Sequence, residues 1–494
     1  MNGASHEGAQ GATESRPSRL RDAALLVVGA LLTVFFAVVV VRRPEAGLAL
    51  LAAAGLLALL LFARHRIGRV RVVALIVAGL VSLPLLALLG PSFALPAIPQ
   101  LFAFRFVLLL VCLVGITYLI VLAEPLRFAV GDVALPAALW YAWLCIGLLW
   151  APDKLLGIDY IAIVTTMVAL MAATAVAGGT PRRLRALSLT LAVGYAAIVG
   201  FTLLEARFGI RLPTSRLLST ASSQSYAVTS VFHNQNDLAT FIALCWPFLL
   251  CALFFTRRVG WLLLDLLLIA LGAAAFLRTG SRSSLIAVGI SSVAAAVLFS
   301  HLGSRLTTRA GKLAGGLVVV ALVCGAGYLL FNDSQNDMLR QFRLESLLVQ
   351  AQAGEGSGAI RTSLTARGLE IAGDTYLVGA GPGQAEGIIS SGGGLGISNL
   401  HNWWLETYVN GGLIGFGLHL VFVLGLALTL WPIARRDPEP LVRYLASGAV
   451  LALLGFTVGA LGPSSSVGFA PMWILYGVGL AVILRSRLAA LPRT

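Results

Sequence analysis

The chain is a succession of apolar blocks of about 18–21 residues separated by short polar segments. An α-helix of that length crosses a hydrocarbon core of about 30 Å. Read in order, the blocks give about fourteen spans: roughly 23–41, 46–63, 72–90, 104–123, 133–150, 159–178, 186–205, 237–256, 260–277, 283–300, 313–331, 411–431, 442–460 and 471–485. Two long stretches, 206–236 and 332–410, interrupt this rhythm. Within the larger one, 337–352 and 360–372 have helical spacing, whereas 353–359 and 390–396 are glycine-rich and expected to be mobile. Residues 398–410 read as a helix on the membrane surface, because Trp403, Trp404 and Tyr408 are interface-seeking side chains. The pattern therefore predicts an all-α, polytopic transmembrane helical bundle of about 12–14 spans with one large helical extracytoplasmic loop. Its parts are an N-terminal tail (1–22), about eleven spans (23–331), the loop (332–410), about three spans (411–485) and a C-terminal tail (486–494).

Composition sharpens the class. Of 494 residues, 58% are hydrophobic and 11% charged, against about 25% charged in soluble chains; mean hydropathy is +0.91. Those values exclude a cytosolic enzyme, a disordered regulator and a nucleic-acid-binding module. The net charge of +14 is written into short loops, as the positive-inside rule distributes it. Placing the N-terminus inside puts Arg16, Arg19, Arg21, the Arg64–Arg71 cluster, Arg182, Arg183, Arg257, Arg258, Arg435 and Arg436 on one side. Both termini are then cytoplasmic, the protein is multi-pass in the cytoplasmic membrane, and loops 206–236 and 332–410 face outward. The first apolar block is not followed by a convincing cleavage site, so it reads as a retained helix. Cys112, Cys145, Cys245, Cys251 and Cys324 all fall inside apolar blocks, which implies no disulfide framework.

Candidate chemistry gathers in the outer segments. The first carries Arg207, Arg211, Arg216 and Val231-Phe-His-Asn-Gln-Asn-Asp237; a short turn carries Arg278-Thr-Gly-Ser-Arg282-Ser-Ser; the large loop carries Arg340, Arg343, Arg361, Arg367, Glu370 and His401. So many arginines on the side where positive charge is scarce call for an anionic partner. A guanidinium fork matches phosphate oxygens, and a lipid-linked phosphate or diphosphate at the interface would supply them. Blander readings stand beside this one. Arg278 and Arg282 could snorkel to headgroups, His401 could bond a loop carbonyl, and His233 reads more readily as an N-cap or loop-ordering residue than as a base. Gly379-Ala-Gly381-Pro-Gly383 has no preceding strand, which favours a tight turn over a phosphate cradle. Asp265 is an intramembrane acid close to Arg257 and Arg258. No cluster has metal-ligand spacing, so no metal and no cofactor are expected.

His401-Asn402, nine residues, then Gly412-Leu-Ile-Gly415 resembles the signature of the bacterial O-antigen ligase and polymerase family, polytopic proteins that move glycans from a polyprenyl-diphosphate carrier. Three further segments resemble the family in the same order: Phe232-His-Asn-Gln-Asn-Asp-Leu-Ala, Thr279-Gly-Ser-Arg282-Ser-Ser, and Arg361 through Gly383. The likeness covers roughly residues 186–430; the family usually has about ten to twelve spans, fewer than the fourteen blocks here. It implies a catalytic base at His401, whose ordinary pKa of about 6.5 leaves neutral imidazole available. It also implies diphosphate binding by Arg282 and Arg361, with Arg211, Arg216 and Arg278 nearby, and substrate contacts from Asn234, Asn236 and Asn402. Arginines would stabilise the leaving diphosphate without a metal, and direct attack would invert the anomeric centre. A double displacement would need a carboxylate nucleophile, Glu370 or Glu406. The implied partners are a polyprenyl-diphosphate-linked glycan donor, a lipid or glycan acceptor and membrane lipid, with no nucleic acid. Glycan ligation is the leading expectation, polymerisation of lipid-linked repeat units the alternative. A transporter or glycolipid flippase is the rival of another class, disfavoured because carriers place charged residues and broken helices at the midplane.

Overall fold

The structure, a computed structural model, describes residues 69–112 with breaks, and 130–490 except 219–226, 302–308, 332–335, 344, 346–348, 350–355, 392–398 and 464–466. All described residues belong to one unit of the chain, Arg69–Thr494. The expected spans at 23–41 and 46–63, most of 104–123 and the glycine-rich segment 390–396 fall largely or wholly outside the described residues.

The described elements are α1 (Arg69–Leu89), a two-stranded antiparallel hairpin β1 (Ala94–Leu95) and β2 (Ile98–Phe102), α2 (Gly131–Gly147), α3 (Lys154–Ala177), α4 (Pro181–Phe208), α5 (Gln235–Phe255), α6 (Val259–Leu277), α7 (Arg282–His301) and α8 (Arg309–Phe331). They continue with α9 (Asp337–Arg340), α10 (Gly356–Thr375), α11 (Gln384–Ser391), α12 (Trp403–Arg436), α13 (Pro440–Gly459) and α14 (Ala470–Ala490). Eight of these, α3 to α7 and α12 to α14, are long and apolar enough to cross a membrane; α2 and Ile76–Leu89 are shorter apolar helices. Local chemistry sets several starts. Asp153 accepts hydrogen bonds from the Leu155 and Leu156 amides, Thr180 caps α4 ahead of Pro181, and Asn234 and Asn402 cap α5 and α12.

In the core, α13 packs on α5, α7 and α12, while α14 lies along α3 and α2 against α12. Gly477 lets α14 approach α3 so closely that a Cβ there would stand 2.7 Å from the Met171 carbonyl, the small-residue packing that membrane helices use. By contrast, α6 leaves Val259, Trp261, Leu263 and Leu267 exposed. A surface that apolar is stable when lipid covers it. Because successive spans alternate in direction, the starts of α3, α5, α7, α12 and α14 share one end of the bundle with the ends of α2, α4, α6, α8 and α13. The helices of the large loop, α9 to α11, lie at that end too; we call it the His401 end.

Two expectations about the large loop change. Helix α10 begins at Gly356, so part of the supposedly mobile 353–359 is helical. Of the three aromatics in 398–410, Trp403 is turned into the protein. Trp403 is 2% exposed, and its Nε1 donates to His419 Nε2 at 3.2 Å. Sixteen residues of straight helix would span about 24 Å, so the chain must fold back on itself between the two. The turn is at Gly412, with φ 64° and ψ −170° inside α12.

Candidate active site

Gly412 explains much of the local sequence. Its backbone conformation is one essentially restricted to glycine, and a Cβ there would lie 2.3 Å from the Leu377 carbonyl oxygen. Facing it, Gly379 (φ 77°) would place a Cβ 2.3 Å from the Gly412 nitrogen. The two backbones meet directly: the Ala380 amide donates to the Val409 carbonyl at 2.8 Å and the Leu413 amide to the Tyr376 carbonyl at 3.0 Å. Gly381 and Gly383 also have positive φ and pack on Ala151 and Tyr160. The Gly-x-Gly-x-Gly run is thus a tight turn clamped against the α12 bend, and Trp150 and Trp143 fasten it by donating to the Gly379 and Gly411 carbonyls. Gly412→Ala should lower the thermal midpoint through strain of about 1–3 kcal/mol plus the backbone clash. Gly417→Ala, with nothing within 4 Å of the added carbon, should be neutral; equal midpoints in a detergent melt would contradict the bend.

Just before this bend sits His401, half-buried and at φ 50°. Few non-glycine residues hold that conformation, histidine being among those enriched there, and such strain clusters at functional sites. Its amide donates to Asn399 Oδ1 at 2.7 Å, and the capping Asn402 accepts from the Leu405 amide at 3.2 Å. The Pro463 carbonyl beside the imidazole favours its protonated form. Nδ1 is buried with no partner among the described residues. Burial, then the positive charges of Arg361 and Arg216, push this histidine down to about 4; the ordinary value expected from the sequence does not hold here.

The charges of Arg361 and Arg216 act on the ring, and that of Arg282 acts on Arg361. Arg216, in the turn Arg216–Leu218, donates to Gln235 Oε1 at 2.7 Å; burial lowers its pKa while Asp237 opposes the shift. Arg282, the first residue of α7, donates from Nε to the Gln341 carbonyl at 3.1 Å. Arg361, on α10, has its pKa lowered by burial and by the charge of Arg282. Half-buried like charges repel, and an anion seated among them would relieve that repulsion. The arrangement can therefore hold a polyanion beside a neutral imidazole, which keeps one ring nitrogen as an acceptor. A groove of about 420 Å³ adjoins it, lined by Asn402, Trp404, Tyr408, Leu369, Leu413 and Phe416 among others.

The remaining sequence candidates have structural duties. Arg211 donates to the Leu217 carbonyl at 2.9 Å and holds the turn next to Arg216. Arg278 is the C-cap of α6. The Asn234 side chain accepts from the Asn236 amide at 2.8 Å. His233 Nδ1 bonds the Thr214 carbonyl at 2.8 Å, a loop-ordering role. Glu370 is exposed and paired with Arg367. Glu406 is 2% exposed within α12. Asp265 accepts from Thr256 Oγ1 at 3.4 Å, and no arginine pairs with it among the described residues. No group of three metal-binding side chains occurs among the described residues.

Sequence reasoning passed over Glu205, Gln235 and Gln341. Glu205, 3% exposed near the end of α4, accepts from the Ser230 amide at 2.6 Å and the Thr229 amide at 3.1 Å. Ser230 is the other non-glycine residue with positive φ among those described. This buried carboxylate anchors the segment that carries His233 and Asn234, and the Arg216 amide in turn bonds the His233 carbonyl at 3.0 Å. A lone acid ending an apolar block was the available signal.

The decisive match falls on this same region: residues 266–420 fit the family model described as O-antigen ligase. The chain carries an O-antigen ligase family domain. That domain spans α6 through the α12 bend and includes Arg282, Arg361 and His401, while Arg216 comes from the preceding loop. Beyond it, the chain is 25% identical over 360 residues to the Teichuronic acid biosynthesis protein TuaE of Bacillus subtilis (strain 168), covering 71% of this chain and 72% of that protein. The family is one of membrane enzymes, and the eight apolar helices agree with a multi-pass protein.

Proposed function

We propose that this protein is a glycosyltransferase of cell-surface polysaccharide assembly, moving a glycan from a polyprenyl-diphosphate carrier to an acceptor hydroxyl at the outer face of the cytoplasmic membrane. The family match and the teichuronic acid relative support the polysaccharide setting. The charges of Arg361 and Arg216 on His401, and of Arg282 on Arg361, carry the chemistry. The acceptor hydroxyl gives its proton to the neutral imidazole of His401 while its oxygen bonds the anomeric carbon. The bond from that carbon to the diphosphate oxygen breaks, and its electrons leave with the diphosphate, held by the three guanidinium groups. One displacement inverts the anomeric centre. The positive charge fixed around the departing oxygens does the stabilising work, so transfer should persist in excess EDTA.

Purified protein, a polyprenyl-diphosphate oligosaccharide and an acceptor test this directly. Because His401 is held low, the imidazole stays neutral until the pH falls through about 4. The profile of kcat/KM, which reports the free enzyme, should therefore be flat from pH 8 down to about 5 and decline only below it. An acid limb near the ordinary histidine value of about 6.5 would remove His401 as the base. Product length separates the two activities: one addition per acceptor is the ligation we favour, and a ladder is polymerisation.

A further inference from the structure

The strain at His401 needs an anchor, and the chain supplies one two residues later. The Trp403 amide donates to the Ala460 carbonyl at 3.0 Å, and its indole Nε1 donates to His419 Nε2 at 3.2 Å. The Tyr476 hydroxyl, from α14, lies 3.3 Å from the same nitrogen. His419 is 1% exposed, with its ring centroid 5.1 Å from that of Trp140 and 6.0 Å from that of Tyr476. An indole N–H can only donate, so Nε2 must present a lone pair and the neutral ring keeps its proton on Nδ1. A single acceptor atom thus joins the folded-back start of α12 to its membrane-spanning part and to α14.

We propose that His419 is a positioning residue for the transfer reaction: as a neutral acceptor it holds Trp403, and through Trp403 the His401–Asn402 turn, so that the His401 imidazole stays beside Arg361 and Arg216. The proposal rests on the reading of His401 as the acceptor's base. It differs from simple core packing in one respect: what matters is the acceptor atom, and not the volume of the side chain. Small misplacements of a catalytic group cost rate far more than affinity.

The test compares His419→Leu, His419→Gln, Trp403→Phe and the double variant His419→Leu/Trp403→Phe in the full-length purified protein. Leucine fills the site without an acceptor; glutamine restores an oxygen near the position of Nε2. We expect kcat to fall about tenfold or more in His419→Leu, with KM for the lipid-linked donor within about twofold of the wild type. His419→Gln should recover kcat to within about threefold, and the double variant should be no slower than the slower single one. Full turnover in His419→Leu, loss confined to KM, no rescue by glutamine, or multiplying losses in the double variant would each overturn the proposal. If His419→Leu does not fold, Trp403→Phe against His419→Gln decides: a slow phenylalanine variant beside a near-normal glutamine variant supports it, and a Trp403→Phe protein of normal kcat overturns it. His401→Ala in the same assay separates the two readings. Its inactivity beside a normal His419→Leu sinks this inference alone, whereas its retained turnover sinks the base assignment on which both rest.

Discussion

His401→Ala should give a folded protein whose transfer rate is lower by at least about 10²-fold, the usual loss on removing a positioned general base. The fold should survive because the imidazole contributes little to the bundle. Asn402 still caps α12 through the Leu405 amide, and Trp403 still bonds the Ala460 carbonyl and His419. What disappears is the neutral imidazole that takes the proton. Turnover at saturating donor and thermal unfolding, measured on the same preparation, check both halves. Near-normal turnover would return His401 to the reading of a histidine beside a loop carbonyl, which the nearby Pro463 carbonyl also allows.

Lysine at position 282 or 361 should be almost as damaging as alanine, with kcat/KM lower by about 10²-fold. Lysine keeps the charge but loses the planar fork that grips two phosphate oxygens at once. At Arg282 it also loses Nε, which fixes the side chain to the Gln341 carbonyl at 3.1 Å. Arg361 allows a second check. Its charge is opposed by burial and by Arg282, so Arg361→Gln relieves repulsion and should unfold no earlier than the wild type while transferring little. A fully active lysine variant would reduce that arginine to a point charge or a headgroup anchor.

These predictions concern residues that the sequence placed in separate loops, and the reason they could be named at all is instructive. Span positions follow from runs of apolar residues, a local property; α5, α6 and α13 fall within a few residues of the blocks that define them. The bend at Gly412 is not local in that sense. It depends on Gly379, thirty-three positions earlier, giving up its own side chain so that two backbones can touch. Trp403 was misplaced for a related cause. An indole suits the membrane surface as well as a core with an acceptor for its N–H, and only the fold-back brings His419 within reach. Glu205 escaped because its partners are backbone amides, which leave no mark in the pattern of side chains. The family resemblance singled out Arg282, Arg361 and His401 and put Arg216 beside Arg211 and Arg278, but that Arg216 acts on His401 whereas Arg211 bonds the Leu217 carbonyl required the packed loops.

The account stands or falls on whether a glycosidic bond is made as the carrier is released. Purified protein should convert a polyprenyl-diphosphate oligosaccharide and its acceptor into equal amounts of free polyprenyl diphosphate and glycosylated acceptor, with the anomeric configuration inverted. Carrier that crosses the bilayer of a proteoliposome with its glycan still attached, and no glycosylated acceptor, would contradict the account and identify a flippase instead.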